Sequence, residues 1–346
     1  MNASTVAKLF PLFLLLYIAA VLYGASYQQF RHFDVHDPRG LGDADEYLAM
    51  AAGDYCGASV KRRFRPLVPL AASLVRKPLS RVPALADDEQ QLSILAFYVV
   101  NFAFVAATAY LLFWTLAALG FDTYLGLIGV AIFSTSRVTV FTTAAPLADS
   151  IYFLAIAAIF YLAVTDRLLL LAALGPLLVL AKEPVIVFLL FPLLKRKRTA
   201  ALIASAVVSL LAIALCRRYL QGLCPAEAET GAAAALLDAI GRFLGEVPEV
   251  LSRFATLRGL HDLQNGFSFF LLFAVFGYFL NRRERRYDLP GYLLLAVPVS
   301  LVLAVIGGNV GRTFFTAFVA VIPLALVFIE RMVEISGLEP GQRETV

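Results

Sequence analysis

The sequence predicts an all-α, polytopic membrane protein with about ten transmembrane helices, and two observations support this fold class. Of its 346 residues, 60% are hydrophobic and only 16% are charged, and the mean hydropathy is +0.80, whereas soluble domains carry about a quarter charged residues. Solid apolar runs of roughly 20 residues recur, which is the length that crosses a hydrocarbon core of about 30 Å. A β-barrel would instead show alternating polarity in segments of about ten residues.

The apolar runs make residues 1–346 a single transmembrane domain. The first run lacks the strongly charged start of a signal peptide, so we expect it to be retained as a span. The fifth and sixth runs are short and form a hairpin broken at Lys182-Glu183-Pro184, because proline removes a backbone donor and disfavours helix at the residue before it. The predicted spans are 7–27, 92–118, 123–140, 147–165, 168–182, 184–194, 200–219, 265–281, 290–307 and 312–331.

Three short basic loops predict the orientation of the chain. KRKR at 195–198 and NRRERR at 281–286 are the clearest, and Asp166-Arg167 is a weaker third. All three fall on one side of the membrane if the first span runs outward, and an excess of Lys and Arg marks the cytoplasmic side. Both termini are then cytoplasmic.

The polar segments that orientation does not explain all fall on the opposite, extracytoplasmic face. Polar groups that converge at the mouth of an apolar bundle are the usual pattern of a binding site. We therefore expect the functional site on that face. The segments are 28–91, 141–147, Lys182-Glu183, 220–264 and Gly307–Arg312.

The first outer loop, 28–91, is predicted to carry two short juxtamembrane helices. Ala44–Ala52 follows Asp43, which would cap the helix, and Glu46 stands three residues later as in a capping box. Arg65–Val75 is apolar but too short to span, so we expect it to lie along the interface.

Asp43 and Asp45 are candidate catalytic residues, because a carboxylate at the mouth of the bundle could accept a proton from an attacking hydroxyl. The alternative is that Asp43 only caps its helix and Glu46 only completes the capping box.

The same loop holds a basic cluster on the side where positive-inside statistics disfavour it. Arginine offers a planar fork to a phosphate, and lysine offers a compact charge. A bound phosphate or pyrophosphate is one explanation of the cluster, and contact with lipid headgroups is the other. Its members are Lys61, Arg62, Arg63 and Arg65.

Three charged residues interrupt later apolar runs, where an ionised group is costly unless it faces protein or a cavity. Lys182 is expected to reach a substrate anion, and Glu183 to orient it or to bind a hydroxyl; the alternative is that both only pair with neighbours. Arg312 follows the glycine-rich stretch Gly307–Gly311, which lets backbone approach a ligand closely. We expect Arg312 to contact a phosphate rather than to form only a structural ion pair.

The cysteines show no metal-ligand spacing. On the predicted topology Cys56 and Cys224 both face outward, where a disulfide is permitted, but sequence alone does not give the distance between them. Cys216 would stay in or near its span. The loop at 220–264 also has apolar residues at helical spacing over 232–254, which predicts a helix on the membrane surface.

In the order of these features the chain resembles the GT-C superfamily of membrane glycosyltransferases. The resemblance covers nearly the whole chain, although each motif is short. The motifs are Asp43–Ala51 (DADEYLAMA), Arg63–Leu70 (RFRPLVPL), Pro146–Ser150 (PLADS), Lys182-Glu183-Pro184 and Gly311-Arg312. The larger members also have a C-terminal soluble domain, which this sequence does not show, so we expect a lipid-linked glycan or another small acceptor.

The resemblance implies an inverting glycosyltransferase that uses a sugar carried on polyprenyl phosphate. It implies a catalytic acidic residue in the first outer loop, with Asp43 in that role and Asp45 as the alternative. We expect no cofactor, no metal and no nucleic-acid partner. Substrate contacts are expected from Glu46, Tyr47, Arg63, Arg65, Lys182, Glu183 and Arg312.

The location of the site independently favours a lipid-borne donor. Nucleotide sugars are not expected on the extracytoplasmic face of a bacterial inner membrane, so an activated sugar would arrive there on a lipid. The competing class is a transporter or flippase for a lipid-linked or anionic substrate, which would favour paired broken helices and internal repeats. The hairpin broken at Pro184 is compatible with a transporter, but the sequence shows no matching break in a second half.

Overall fold

The computed structural model describes residues 3–34, 42–82, 88–224, 248, 252, 256, 261, 263–264, 266–307 and 310–336. Regular structure in these residues is helical, and they contain no strand. The all-α fold class is therefore confirmed for this part of the chain. The helix predicted over 232–254 lies almost wholly outside the described residues, as do the side chain of Lys61 and residues 308–309.

The helices are numbered here in chain order. A 3-10 turn, Phe191–Lys195, follows α10, and another, Phe315–Ala317, joins α15 to α16. The α-helices of the described residues are α1 (Ala3–Arg31), α2 (Gly42–Ala51), α3 (Val60–Arg63), α4 (Leu67–Leu79), α5 (Glu89–Ala118), α6 (Thr123–Thr135), α7 (Arg137–Ala144), α8 (Asp149–Val164), α9 (Leu168–Val179), α10 (Val185–Leu190), α11 (Thr199–Gly222), α12 (Phe270–Glu284), α13 (Gly291–Leu294), α14 (Ala296–Gly307), α15 (Val310–Phe314) and α16 (Phe318–Ile335).

Four stretches of helix in the described part are long and apolar enough to cross a membrane: Lys8–Arg31, Glu89–Ala118, Thr199–Gly222 and Val310–Ile335. A bent pair, α6 with α7, brings the number to five if it is one span. The other predicted spans coincide with shorter helices, such as α8, α9 and α14. The structure thus agrees with a membrane protein, while the number ten stays a prediction.

The span predicted over 123–140 is not one continuous helix but the bent pair of α6 and α7. The chain bends by 58° between α6 and α7. At the bend, Ser136 has an extended backbone with ψ 142°, and its hydroxyl caps α7 by accepting from the Thr139 amide at 3.3 Å. A residue that caps a new helix leaves the helical geometry of the previous one, so the two helices take different directions.

The long helices differ in how far they are buried. Within an apolar 18-residue stretch of each helix, 22% of the residues are buried in Lys8–Arg31 and 17% in α11, against 78% in Val310–Ile335. The outer pair therefore leaves apolar surface for lipid, and the last helices form the centre of the bundle. Aromatic rings fill that centre. The ring centroids of Phe133 and Phe318 are 4.9 Å apart, and those of Phe153 and Phe315 are 5.4 Å apart.

Gly277 lets α12 pack directly against α16. A Cβ at this position would lie 1.8 Å from the carbonyl oxygen of Leu324. Small residues are common where membrane helices approach closely, because they allow the two backbones into contact.

The predicted basic loops meet at one end of the bundle, here called the basic end and defined by Asp166, Lys195, Lys197, Arg286 and Glu330. Lys195 and Lys197 hydrogen-bond to Asp166 at 3.1 and 2.9 Å, and these bonds lower the pKa of that carboxyl. Arg286 pairs with Glu330 at 2.8 Å. Lys195 Nζ lies 5.7 Å from the centroid of the Tyr292 ring, so these loops lie at the same end of the bundle, while the side of the membrane they face stays a prediction.

A disulfide joins Cys56 to Cys224, which are 168 residues apart in sequence. It ties the first loop to the end of α11, so the pairing that sequence left open is confirmed. Cys216 is the free cysteine and is half-buried.

Thiol counting is the check on this bridge. With three cysteines in the chain and two of them bridged, we expect one alkylatable thiol in denatured, unreduced protein and three after reduction. Cys56→Ser should give two under both conditions. Three thiols in unreduced protein would contradict the bridge.

Candidate functional site

A small apolar core holds the first loop on the end of the bundle. Tyr47 and Met50 of α2 and Val68 of α4 are buried together with Phe97 of α5 and Leu147. This packing fixes α2 and α4 on α5, so the direction of the polar residues on α2 is set by the bundle.

Arg63 organises the loop backbone and does not line the cleft described below. Its side chain is buried and donates to the carbonyl oxygens of Tyr55 at 2.9 Å and Ala58 at 3.0 Å. A buried guanidinium needs such partners. The substrate contact expected from Arg63 therefore has no geometric support.

Asp43 lies in the first turn of α2, which begins at Gly42. The predicted capping box is wrong, because Glu46 turns to the next segment instead of back to Asp43. One oxygen of Glu46 accepts from both the amide and the hydroxyl of Ser59 at 2.8 Å, and the other pairs with Arg62. Glu46 thus connects α2 to α3.

A buried polar network positions the segment before α8. Asn101 of α5 donates to the carbonyl oxygen of Ala145 at 2.9 Å and accepts from the hydroxyl of Ser150 at 2.5 Å. All the hydrogen-bonding atoms are deep in the protein, where such bonds are strong and specific. They fix the start of α8, and with it Asp149.

Asp149 is a buried carboxylate between two cations. One oxygen accepts from Lys182 Nζ at 2.8 Å, and the other lies 3.2 Å from Arg312 Nη1. Lys182 comes from the break between α9 and α10, and Arg312 comes from α15. Asp149 therefore joins the two sequence-predicted cations at one point.

Asp43 also lies between two cations. Its Oδ1 is 2.5 Å from Arg62 Nη2, and its Oδ2 is 3.4 Å from Arg312 Nη2. Arg312 thus reaches Asp43 with one nitrogen and Asp149 with the other. The first loop, the start of α8, the broken hairpin and α15 converge, as the sequence predicted.

A second group of charges surrounds Glu183. Arg217 of α11 hydrogen-bonds to it at 3.1 Å, and Arg65 lies 3.9 Å away. Arg65 also lies beside Tyr47. Burial raises the pKa of Tyr47, and the positive charge of Arg65 lowers it only in part. The Tyr47 phenol is therefore neutral at pH 7.

These charges line one cleft of about 500 Å³. Five of the lining side chains are cationic and two are carboxylates, which favours an anionic ligand. Leu303 and Ile306 of α14 add apolar surface that could contact a hydrocarbon chain. The charged lining residues are Asp43, Arg62, Arg65, Lys182, Glu183, Arg217 and Arg312.

The cleft is at the opposite end of the bundle from the basic end. Helix α8 separates Asp149 at its start from Asp166 beyond its end, and 16 helical residues rise about 24 Å. We call the end of the bundle that contains the cleft the cleft end. It combines cations, carboxylates and an apolar wall in one cleft.

Several predicted site residues stand outside the cleft lining. Asp45 is exposed on α2 and Tyr47 is buried, while Glu46 forms an ion pair with Arg62. Asp149 and Arg217 were not among the predicted site residues. For Asp149 a signal existed, because it is an acid that opens an apolar run; Arg217 gave none.

Among the described residues, no group of three His, Cys, Asp or Glu side chains could hold a metal ion. A search of protein-family models found no match for this chain, and a search of curated proteins found none either.

Proposed function

We propose that this protein is an inverting glycosyltransferase of the GT-C type, which moves a sugar from a polyprenyl-phosphate donor to a lipid-linked glycan or another acceptor. The observation that carries the proposal is the cleft itself, which Asp43 lines together with four cations and an apolar wall. The cations are Arg62, Arg65, Lys182 and Arg312. A single site thus offers a base, cations for a phosphate and a surface for a lipid chain.

The chemistry divides among these residues. Asp43 accepts the proton of the acceptor hydroxyl, whose oxygen then attacks the anomeric carbon of the donor. The bond from that carbon to the phosphate oxygen breaks, and the lipid phosphate leaves with the electron pair. Arg65, Lys182 and Arg312 stabilise the charge that develops on the leaving phosphate. With one displacement, the anomeric configuration inverts.

Transport is the second candidate function, and the second helix break favours it. The 58° bend at Ser136 adds to the hairpin broken at Lys182–Pro184, and broken helices around a binding site occur in transporters. The two functions differ in their products: a transporter moves its substrate unchanged, whereas a transferase makes a new glycosidic bond.

Mass spectrometry of lipid-linked glycans tests the proposal in cells. Cells with the protein should contain a glycan that is one sugar longer than in cells without it, and Asp43→Asn should remove this product. Identical glycans in the presence and absence of the protein would contradict the proposal. Unmodified substrate that accumulates on one face would favour transport.

The orientation is a separate prediction. We propose that the cleft end faces outward and the basic end faces the cytoplasm, because basic loops mark the cytoplasmic side. In a Cys216→Ser background, a membrane-impermeant thiol reagent should label a cysteine at Gly40 in intact cells and should not label one at Arg283. The reverse pattern would place the site on the cytoplasmic face.

A further inference from the structure

Arg62 holds two carboxylates at once. Its Nη2 lies 2.5 Å from Asp43, and its Nη1 pairs with Glu46. Glu46 is itself fixed by two hydrogen bonds from Ser59 at 2.8 Å. One arm of the guanidinium is therefore attached to the loop scaffold, while the other lies on Asp43 at the edge of the cleft.

Both oxygens of Asp43 are engaged in this state, since Arg312 lies 3.4 Å from the second one. An acceptor hydroxyl must approach the same oxygens if Asp43 is to act as its base. The observed arrangement thus holds the carboxylate in ion pairs that compete with its proposed task.

We propose that Arg62 is a positioning residue that releases Asp43 only when the donor phosphate binds. The arm of Arg62 on Asp43 moves to a phosphate oxygen, while the arm on Glu46 stays in place. This inference rests on the proposed function and adds an order to it: the anion binds first, and the base becomes available to the acceptor second.

The exchange fits the chemistry of the groups. The Arg62–Asp43 pair is partly exposed, with side-chain exposures of 27% and 22%, and partly exposed ion pairs contribute little stability. Phosphate oxygens match the planar guanidinium fork well. A phosphate in the cleft can therefore compete with Asp43 for the same nitrogen.

A double-mutant cycle on anion binding tests the exchange without any sugar transfer. The probe is geranyl phosphate, with inorganic phosphate in parallel to separate the contribution of the lipid chain, and purified full-length protein is titrated by calorimetry in detergent. Asp43→Asn should tighten binding of geranyl phosphate about fivefold, because Arg62 no longer has to leave a charged partner.

The second side of the cycle uses Arg62→Gln. In that background Asp43→Asn should change affinity by at most about twofold, because only general charge repulsion and the longer Arg312 contact remain. The control is Asp45→Asn, an equal charge change on the exposed part of α2, which should leave probe affinity near that of the wild type. Monodisperse elution of each variant checks folding.

Two results would overturn the inference. Equal tightening by Asp43→Asn in both backgrounds would mean that Asp43 repels the anion without acting through Arg62. Failure of the wild-type protein to bind geranyl phosphate would show that the cleft does not bind this anion. A fivefold effect that depends on Arg62 in a protein without sugar-transfer activity would leave the exchange standing and overturn only the proposed function.

Discussion

Replacing Asp43 with asparagine is expected to lower the rate of sugar transfer by about 10²–10⁴-fold, the usual cost of losing a general base. Asparagine keeps the size of the side chain and can stay beside Arg62 and Arg312, but it cannot accept the proton. Affinity for the donor should be retained or modestly increased, since a negative charge leaves a cleft that binds an anion.

The measurement is turnover at saturating donor, with donor affinity determined separately on the same preparation. Asp45→Asn is the matched control, because Asp45 is on the same helix, is exposed and does not line the cleft; its effect should be mild. If Asp45→Asn abolishes turnover and Asp43→Asn does not, the catalytic role moves to Asp45. If neither variant matters, the proposed mechanism is wrong.

Asp149→Asn is expected to cause the largest loss of stability, about 3–5 kcal/mol in the free energy of unfolding. The change removes the charge that Lys182 and Arg312 share and leaves two cations close together in a buried place. The measurement is the free energy of unfolding in detergent, obtained from a denaturant titration that is monitored by circular dichroism. Inorganic phosphate bound in the cleft should restore part of the lost free energy of unfolding, because it would replace the missing negative charge.

Asp166→Asn is the matched control for this variant. Asp166 also accepts from two lysines, Lys195 and Lys197, and it follows the other end of α8. It is solvent-exposed, so water replaces the lost partner and the effect on stability should be much smaller. Equal losses for Asp149→Asn and Asp166→Asn would show that burial of Asp149 does not matter.

The sequence predicted the general form of the bundle because that form depends on long apolar runs and on glycine, proline and charge at fixed places. The break at Pro184 and the meeting of the basic loops followed from these signals. The bend at Ser136 did not, because the polar stretch Ser134–Arg137 is short enough to lie within a continuous helix. Only the hydrogen bond from the Thr139 amide to the Ser136 hydroxyl identifies Ser136 as a cap.

The candidate site was predicted as a set of residues but not as an arrangement. Asp43 stood out as a carboxylate in the first outer loop, and Lys182 and Arg312 as charges that interrupt apolar runs. The structure brings the three together through Asp149. The residues that pair with them depend on tertiary packing. Glu46, for example, forms an ion pair with Arg62 and does not complete a capping box. Arg63 and Arg65 are two residues apart, yet one supports the loop backbone and the other faces the cleft.

The most direct test of the account is sugar transfer by the purified protein, with polyprenyl-phosphate sugars and nucleotide sugars offered separately to the same acceptor lipids. The account predicts a new glycosidic product from a polyprenyl-phosphate sugar, with the anomeric configuration inverted, and no product from nucleotide sugars. Transfer from a nucleotide sugar, or no transfer from any polyprenyl-phosphate sugar together with movement of the intact lipid across the bilayer, would contradict it.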